Sequence, residues 1–275
     1  IRGPLRSRKI VDLISEAREL NNSGVLELGL IAQDLTSYGR DYGGNEELEK
    51  LLELLLSDTD IPWIRLLYLY PGTINDRLIK LMSENERITP YLDIPFQHVS
   101  SSVLKKMNRR YTKKDLFNLI DRLRKSIPDI SLRTTFLLGF PGETLDDLKQ
   151  VEEFLKVVEF DHVGVFPYSN EEGCPSEHFN DQLEEEEKKA RVEHILSVQQ
   201  KISENKLKRF VGQKLDVLIE GVSRETELLL EGRTKYQAPE IDGCVYINDG
   251  YAEEGTITRV EITDSQIYDL VGRII

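Results

Sequence analysis

The first 180 residues of this chain alternate short apolar runs with amphipathic helical stretches, which constrains the fold more than any other feature. A helical pattern covers Ile10 to Asn21, and the apolar run Val25 to Ala32 follows a Ser-Gly break. Further strands are predicted at Trp63–Leu69, Tyr91–Ile94, Ser131–Leu138 and His162–Phe166, and further helices at Asn45–Ser57, Ile74–Ser83, Ser100–Ile127 (broken near Asn108–Thr112) and Thr144–Val158. Five strands with intervening helices predict an α/β fold, either a partial TIM-type barrel or an open parallel sheet. In both, ligands bind at the carboxyl ends of the strands.

The pattern changes near residue 210. A charged helical segment from Asp181 to Phe210 carries an apolar stripe that would pack across the barrel and close it. From Val211 to Ile275 the chain has five short alternating runs separated by turn residues such as Asn248-Asp249-Gly250. We therefore predict two domains, a partial barrel over residues 1–210 and a small five-stranded OB-like β-barrel over residues 211–275.

Composition narrows the class of protein. Charged residues make up 31% and hydrophobic residues 39% of the chain, as in soluble globular proteins. The net charge of −13 disfavours a general nucleic-acid binder, which needs a surplus of Lys and Arg. No apolar run is long enough to cross a bilayer, and the first residues do not form a signal peptide, so we expect no membrane association and a cytoplasmic location.

Only two cysteines occur, Cys174 and Cys244, and they have no CxxC spacing. They form neither a disulfide framework nor a complete metal site, and nothing around them indicates a lowered thiol pKa. We predict no metal ligand within this sequence.

Polar residues follow the first predicted strand. Gln33 and Asp34 come directly after it, and Ser37, Tyr38 and Gly39 complete a polar loop. Asp34 or Ser37 could simply cap a short helix, which is the commoner role of such residues. The functional alternative gives Gln33 and Asp34 contacts with a ligand.

The third strand is followed by Pro95, Phe96, Gln97 and His98. A histidine after a strand is more often a structural hydrogen-bonding group than a catalyst. The neighbouring Gln97 can both donate and accept hydrogen bonds, which makes a ligand site here as probable as a structural one.

The fourth strand carries Arg133 and opens into the turn Gly139-Phe140-Pro141-Gly142-Glu143 before Thr144. Glycines let a backbone approach a flat ligand closely. A charge that points into a barrel needs a partner, and for Arg133 the candidates are an internal carboxylate such as Asp93 or the carboxylate of a ligand. Thr144 with the acidic residues after it predicts the start of the next helix.

Two further segments have ambiguous roles. The basic stretch Lys105–Lys114 is usually a solvated helix face, but it could deliver Arg109 to an anionic group. Tyr168, in the segment 168–173 after the last barrel strand, belongs either to a surface loop or to a substrate contact.

Taken in order, these motifs resemble those of the radical S-adenosylmethionine methylthiotransferases over essentially the whole chain. The matching segments are Ala32-Gln33-Asp34, Ser37-Tyr38-Gly39, Gln97-His98, Met107-Asn108-Arg109, Arg133-Thr134 and Gly139–Thr144. In that family a CxxxCxxC loop directly precedes a stretch like Ile1–Arg8, so we expect the cluster cysteines upstream of Ile1 and expect this fragment alone to be inactive. The last 65 residues, 211–275, resemble the family's TRAM domain, which recognises the substrate.

The resemblance implies S-adenosylmethionine and a [4Fe-4S] cluster as cofactors, with a second [4Fe-4S] cluster in an N-terminal domain and a reductant protein as electron source. It implies that a 5′-deoxyadenosyl radical abstracts a hydrogen from the substrate carbon before sulfur is added. The residues that the resemblance assigns to the cofactor are Gln33, Asp34, Gln97, Arg133, Gly139, Gly142 and Glu143. Possible pocket or substrate contacts are Ser37, Tyr38, His98, Arg109 and Tyr168.

Two subfamilies compete, one that modifies an aspartate of the small-subunit ribosomal protein numbered twelve and one that modifies an adenosine in tRNA. Asp34 and the segment 168–173 look more like the ribosomal-protein enzymes. From Val211 to Ile275, six Lys and Arg stand against thirteen Asp and Glu, a net charge of −7, which suits a basic protein better than RNA. A non-catalytic scaffold that grips ribosomal protein or RNA remains the alternative of another class.

Overall fold

The computed structural model describes residues 3–44 and 47–275. Within these residues the helices are α1 (Ile10–Asn22), α2 (Glu47–Asp58), α3 (Asp76–Glu84), α4 (Ser101–Lys106), α5 (Lys113–Ser126), α6 (Leu145–Val158) and α7 (Glu185–Leu207). The strands are β1 (Glu27–Leu30), β2 (Trp63–Leu66), β3 (Ile88–Asp93), β4 (Ser131–Leu138), β5 (His162–Pro167), β6 (Lys214–Val222), β7 (Leu230–Thr234), β8 (Val245–Asp249), β9 (Ile257–Ser265) and β10 (Leu270–Ile274). The predicted helix start at Asn45 lies outside the described residues, as do Ile1 and Arg2.

The five strands of the larger unit form one parallel sheet in the order β1-β2-β3-β4-β5, which confirms the predicted partial barrel. Alternation along β4 separates its two faces, because Leu132, Thr134, Phe136 and Leu138 are buried while the residues between them are partly exposed. The buried set packs with the helices in one large apolar core on the outer face. The inner, concave face therefore carries Arg133, Thr135 and Leu137.

Helix boundaries follow local chemistry. The predicted break near Asn108 is present, since α4 ends at Lys106 and Asn108 adopts a left-handed conformation with φ of 56°. Helix α5 then begins with a capping box in which Thr112 and Asp115 exchange hydrogen bonds. Helix α6 begins in the same way with Thr144 and Asp147, as predicted. No helix among the described residues is long and apolar enough to span a membrane.

The small unit is a closed barrel with strand order β10-β8-β7-β6-β9, in which β10 runs parallel to β8 and antiparallel to β9. Alternate residues of its strands fill the interior. The buried members are Val217, Ile219, Val245, Ile247, Val260, Ile262 and Leu270, with Leu207 and Phe210 closing one end. This arrangement confirms the predicted OB-like barrel.

Residues 235–243, in the loop between β7 and β8, contact the large unit, and we call them the seam loop. Its backbone accepts hydrogen bonds from the Arg65 guanidinium at 3.1 Å and from the Ser131 hydroxyl at 3.0 Å. Ala238 is completely buried against Leu67 and Tyr91. The seam loop thus covers part of the inner face of the sheet, from Ser131 and His162 at the amino ends of β4 and β5 to Leu67 just beyond β2.

Candidate functional site

The carboxyl ends of the parallel strands gather most of the predicted site residues at one edge of the sheet. Gln33 and Asp34 follow β1, Gln97 follows β3, Glu143 follows β4 and Tyr168 follows β5. Parallel strands end at a common edge, so these segments surround one mouth.

This mouth is open. Ile31, Tyr68 and Phe166 are exposed beyond or at the ends of their strands, and Gln97 and Leu137 are partly exposed. Exposed aromatic and aliphatic side chains on a concave face are typical of a ligand site rather than of a packed barrel core. Sequence reasoning missed Ile31, Tyr68 and Phe166, because their types fit a buried strand equally well.

Gln97 has the geometry of a ligand-binding residue. Its backbone N–H donates to the Thr135 carbonyl and its carbonyl accepts from the Leu137 N–H, both at 2.8 Å, so the residue is fixed to β4. Its φ of 66° is unusual for a residue other than glycine, and such strain concentrates at functional sites. Within the described residues its side-chain amide makes no hydrogen bond, which leaves it available to a ligand.

Arg109 lies in the loop between α4 and α5. Its Nε is buried and has no hydrogen-bond partner among the described residues. The neighbouring Tyr111 hydroxyl donates to the Phe96 carbonyl at 2.7 Å, which fixes this loop beside the end of β3. A guanidinium with an unsatisfied donor at this place suits an anionic ligand group.

The loop after β1 binds the chain's own N-terminal segment. Asp34 accepts hydrogen bonds from the Thr36 and Ser37 hydroxyls. It directly precedes a 3-10 turn at Leu35–Ser37, but its side chain makes no capping hydrogen bond to the backbone of that turn. The Tyr38 hydroxyl donates to the Arg8 carbonyl, and Gly39 N–H donates to the Ser7 hydroxyl, both at 2.9 Å. Ser37 and Tyr38 are therefore engaged in local structure.

A cavity of about 390 Å³ lies beside this loop. Residues 5–8, α1 and β1 line it, together with Asp34 and Tyr38. It is apolar where Leu13 and Leu28 line it and polar towards Asp34. This space could admit a ligand at the end of β1.

The two glycines of the Gly139–Glu143 turn are explained by packing within the chain. Both have a positive φ, 76° for Gly139 and 73° for Gly142. A Cβ at Gly139 would lie 2.5 Å from Lys188 Cγ, and one at Gly142 would lie 2.2 Å from Lys106 Nζ. Lysine side chains fill the space beside both glycines. This packing does not support a close approach of a ligand to the glycine backbone, which stays a prediction.

Glu143 is fully buried and organises the turn. Its carboxylate accepts hydrogen bonds from Gly139 N–H at 2.8 Å and from Arg191 Nη1 at 2.7 Å, and His98 Nε2 lies 3.5 Å away. Burial acts to raise the pKa of Glu143, but His98 and Arg191 outweigh it and hold the pKa below its usual value. Glu143 thus ties the strand-end turn to α7, and a direct cofactor contact stays a prediction.

His98 and Tyr168 are buried rather than exposed to a pocket. His98 Nδ1 accepts from Ser100 N–H at 2.9 Å, which puts the ring proton on Nε2, towards Glu143. Tyr168 packs edge-on against Phe140 with ring centroids 5.1 Å apart, and its hydroxyl donates to Asn170. Packing removes both side chains from the surface, and their expected place in the pocket stays a prediction.

Arg133 lies near the amino end of β4 and is paired inside the protein. Its Nη1 donates to Asp242 of the seam loop at 2.7 Å, whereas its Nε is 3.8 Å from Asp93. Burial acts to raise the pKa of Asp242, but His162 and Arg133 outweigh it and lower the pKa. Burial raises the pKa of Asp93 to about 6, against the effect of Arg133.

The partner of Arg133 is thus a carboxylate of the small barrel, which sequence reasoning did not name. In the strand register Arg133 lies beside Asp93 and His162, at the level that the seam loop covers. This position brings Asp242 of the seam loop into contact with Arg133, which no local sequence pattern indicates. Assignment of Arg133 to the cofactor stays a prediction.

No group of three or more His, Cys, Asp or Glu residues suited to a metal ion occurs in the part of the chain that the structure describes. Cys174 follows β5 and Cys244 precedes β8 in the other unit, and neither is bonded to another cysteine. Burial raises the pKa of the Cys244 thiol to about 12, which makes it unreactive at neutral pH. The described residues therefore do not form a cluster site.

Comparison with known proteins agrees with this architecture. The family model for the Radical SAM superfamily matches residues 1–155, and that for the TRAM domain matches residues 211–275. Coproporphyrinogen III oxidase (HemN) from Escherichia coli, a radical SAM enzyme, shares the fold with a TM-score of 0.54 over 72% of this chain and 48% of its own, at 15% identity.

Relatives over the whole chain are similar in sequence. The ribosomal protein uS12 methylthiotransferase RimO of Desulfotalea psychrophila is 55% identical over 275 residues, which are 100% of this chain and 62% of that protein. The RimO proteins of Citrifermentans bemidjiense and Geobacter sulfurreducens are each 46% identical over the same length, with 61% and 62% of their own chains covered. The chain spans about three fifths of the length of these relatives, and it belongs to the radical SAM superfamily.

Proposed function

We propose that this chain is the cofactor-binding barrel and the substrate-recognition barrel of a methylthiotransferase that modifies an aspartate of ribosomal protein uS12 at its β-carbon. The observation that carries the proposal is the 55% identity to a uS12 methylthiotransferase over all 275 residues. In this proposal the domains divide at residues 210 and 211, where the small barrel begins.

The open mouth fits S-adenosylmethionine. That molecule has an apolar adenine, a polar ribose and a methionine end with a carboxylate and an amine. Ile31 and Phe166 offer apolar surface, and the Gln97 amide offers a donor and an acceptor that no described residue engages. Arg109, with its unsatisfied Nε, would hold the carboxylate, and Gln33 and Asp34 would hold the amine.

The described residues do not fit a [4Fe-4S] cluster, since they lack a set of thiolate ligands. When bound to the whole protein, such a cluster with S-adenosylmethionine supplies the one-electron chemistry that attacks an unactivated C–H bond. We propose a second cluster held outside this chain and a separate reductant protein as the electron source. The residues of this chain bind, orient and shield the cofactor from water.

The substrate would be a basic protein. The small barrel carries thirteen Asp and Glu against six Lys and Arg, and such a charge attracts a Lys- and Arg-rich ribosomal protein while it repels RNA phosphates. Modification of a ribosomal protein would place the enzyme in the cytoplasm.

Mass spectrometry of uS12 and of tRNA from a strain that lacks the gene tests this function. We expect uS12 to lose a methylthio group and to regain it when the full-length gene is restored. A restored Gln97→Ala gene should leave most uS12 unmodified. Loss of the group from tRNA with uS12 unchanged would replace the proposal by the tRNA activity.

A further inference from the structure

The segment that joins α4 to α5 lies at the rim of the open mouth. It consists of the loop 107–112 with the last turn of α4 and the first turn of α5. The Tyr111 hydroxyl donates to the Phe96 carbonyl at 2.7 Å, and the Arg110 N–H donates to the Tyr70 hydroxyl at 3.4 Å. Because Tyr70 follows β2 and Phe96 follows β3, these bonds hold the segment beside the carboxyl ends of two strands.

Positive charge is concentrated on this segment. Four side chains form what we call the basic edge, namely those of Lys105, Arg110, Lys113 and Lys114. Three of them are exposed and Lys113 is partly exposed. None forms a salt bridge with any residue in 3–44 or 47–275. Both lysines of α6, in contrast, are paired within the chain, Lys149 with Glu153 and Lys156 with Glu152.

Two charges of the basic edge lie where a helix disfavours them. Lys113 and Lys114 stand in the first turn of α5, at the positive end of the helix dipole. The carboxylate of that turn, Asp115, is bonded to Thr112 in the capping box. The cations therefore repel both one another and the helix end, and an anionic partner outside the chain would relieve this repulsion.

The basic edge has the composition of a phosphate-binding surface. No large apolar side chain is exposed among the described residues 69–144, so the edge lacks the apolar core that protein interfaces have. Lys and Arg side chains contact the phosphates of nucleic acids whatever the base sequence. The net charge of −13 does not oppose such a contact, because the field beside a local cluster of cations is positive.

We propose that the basic edge docks the phosphate backbone of RNA that adjoins the substrate aspartate in a ribosomal subunit. This inference rests on the proposed function and deepens it, because it makes the substrate a particle of RNA and protein rather than free uS12. Ribosomal proteins lie against ribosomal RNA. A mouth that receives a side chain of such a protein in its particle also meets phosphates, and the basic edge stands at its rim.

The test uses the full-length protein with its cluster restored. One variant removes three exposed charges of the basic edge, by Lys105→Gln, Arg110→Gln and Lys114→Gln. The matched control removes three exposed charges from helix positions that form no salt bridge with a described residue, by Lys125→Gln, Lys189→Gln and Lys201→Gln. Arg109 is left unchanged because the proposed function gives it a contact with the cofactor.

Fluorescence anisotropy measures the binding of a short single-stranded RNA of mixed sequence as salt rises from about 50 to about 200 mM. Four phosphate contacts predict a slope of about −3 for log K against log salt, and one contact predicts a slope of about −1. We expect the variant to show the smaller slope and a Kd about tenfold higher at low salt, and the control to match the wild type. Equal affinity and slope for variant and wild type would overturn the proposal.

The second measurement is the rate of methylthiolation of uS12, free and within isolated small ribosomal subunits. We expect the variant to modify free uS12 at the wild-type rate and the subunits several-fold more slowly. Equal losses on both substrates would show a damaged active site and overturn the docking role. Normal turnover with a chemical reductant but slow turnover with a protein reductant, at unchanged RNA affinity, would assign the basic edge to an acidic protein instead. If the wild type modifies uS12 in neither form, the proposed function fails, while the RNA titration still decides whether the basic edge binds phosphates.

Discussion

Asp242 shows how much one buried side chain contributes to this molecule. Its two oxygens accept from Arg133, from the Tyr91 hydroxyl at 2.7 Å and from Ala238 N–H at 2.8 Å, and His162 Nδ1 lies 3.4 Å away. Three strands of the sheet and the seam loop therefore meet at one carboxylate. Removal of one member of a buried pair leaves the other charge without compensation.

We predict that Asp242→Ala lowers the free energy of unfolding by about 3 kcal/mol, because Arg133 and Tyr91 would lose their partner inside the protein. Chemical denaturation monitored by circular dichroism measures this change. The control is Asp264→Ala, which removes an exposed carboxylate from the same barrel. A loss below 1 kcal/mol would mean that water or another residue replaces the carboxylate.

A second prediction concerns the strained backbone of Gln97. Gln97→Gly removes the cost of a φ of 66° and should stabilise the fold by about 1 kcal/mol. The same change removes the amide and should weaken S-adenosylmethionine binding about tenfold in the full-length protein with its cluster restored. Equilibrium unfolding and isothermal titration measure the two effects, and unchanged affinity would remove Gln97 from the site.

At the scale of elements, α5 and α6 begin with the same capping box but stand in different surroundings. Asp115 is exposed and bonds only within its own cap. Asp147 also accepts hydrogen bonds from Ser100, which directly precedes α4, and from Ser102 in the first turn of α4. Helix α6 is thus anchored to the loop that contains Gln97 and His98. The same capping pattern therefore contributes more tertiary stabilisation at α6 than at α5.

We predict that Asp147→Ala costs about 2 kcal/mol of unfolding free energy and Asp115→Ala about 1 kcal/mol. Burial acts to raise the pKa of Asp147, but hydrogen bonds from Ser100, Thr144 and Ser102 outweigh it and lower the pKa to about 2. The folded pKa lies below the unfolded value of 3.8, so the stabilisation is present above pH 4 and is lost as the pH falls towards 2. Denaturation of Asp147→Ala and wild type from pH 6 to pH 2 should show the difference shrinking, and a constant difference would exclude the titration of Asp147 as its cause.

At the scale of the whole molecule, the two units share a buried polar interface. Glu27 accepts from Arg65 Nε at 2.5 Å and from Arg233 Nη2 at 2.6 Å, so one carboxylate of β1 bonds to arginines of both units. Burial acts to raise the pKa of Glu27, but the two arginines outweigh it and lower the pKa. These bonds hold the small barrel against the inner face of the large unit.

Because of this interface, we predict a single cooperative thermal transition for the whole chain. Differential scanning calorimetry measures it. Ala238→Lys should split it into two transitions, because a lysine cannot fit the completely buried site between Leu67 and Tyr91. Ala190→Lys, at an exposed position on α7, should leave one transition. Two transitions in the unaltered protein would contradict the coupling.

The sequence by itself determined the order of elements, the parallel sheet, the small barrel and the strand ends where ligand residues gather. It could do so because apolar periodicity, capping boxes such as Thr144 with Asp147, and turn residues act over a few neighbouring positions. The family resemblance rested on motifs of the same short range.

Only the tertiary structure decided which of those side chains are engaged within the protein and which are left for a ligand. The partner of Arg133 is Asp242, more than one hundred positions away, and Glu143 is held by Arg191 of α7. The same packing buries His98 and leaves the Gln97 amide without a hydrogen-bond partner among residues 3–44 and 47–275. Burial and partner choice depend on segments distant in sequence that meet only after the sheet, α7 and the seam loop have assembled, and no local pattern encodes which side chain will arrive.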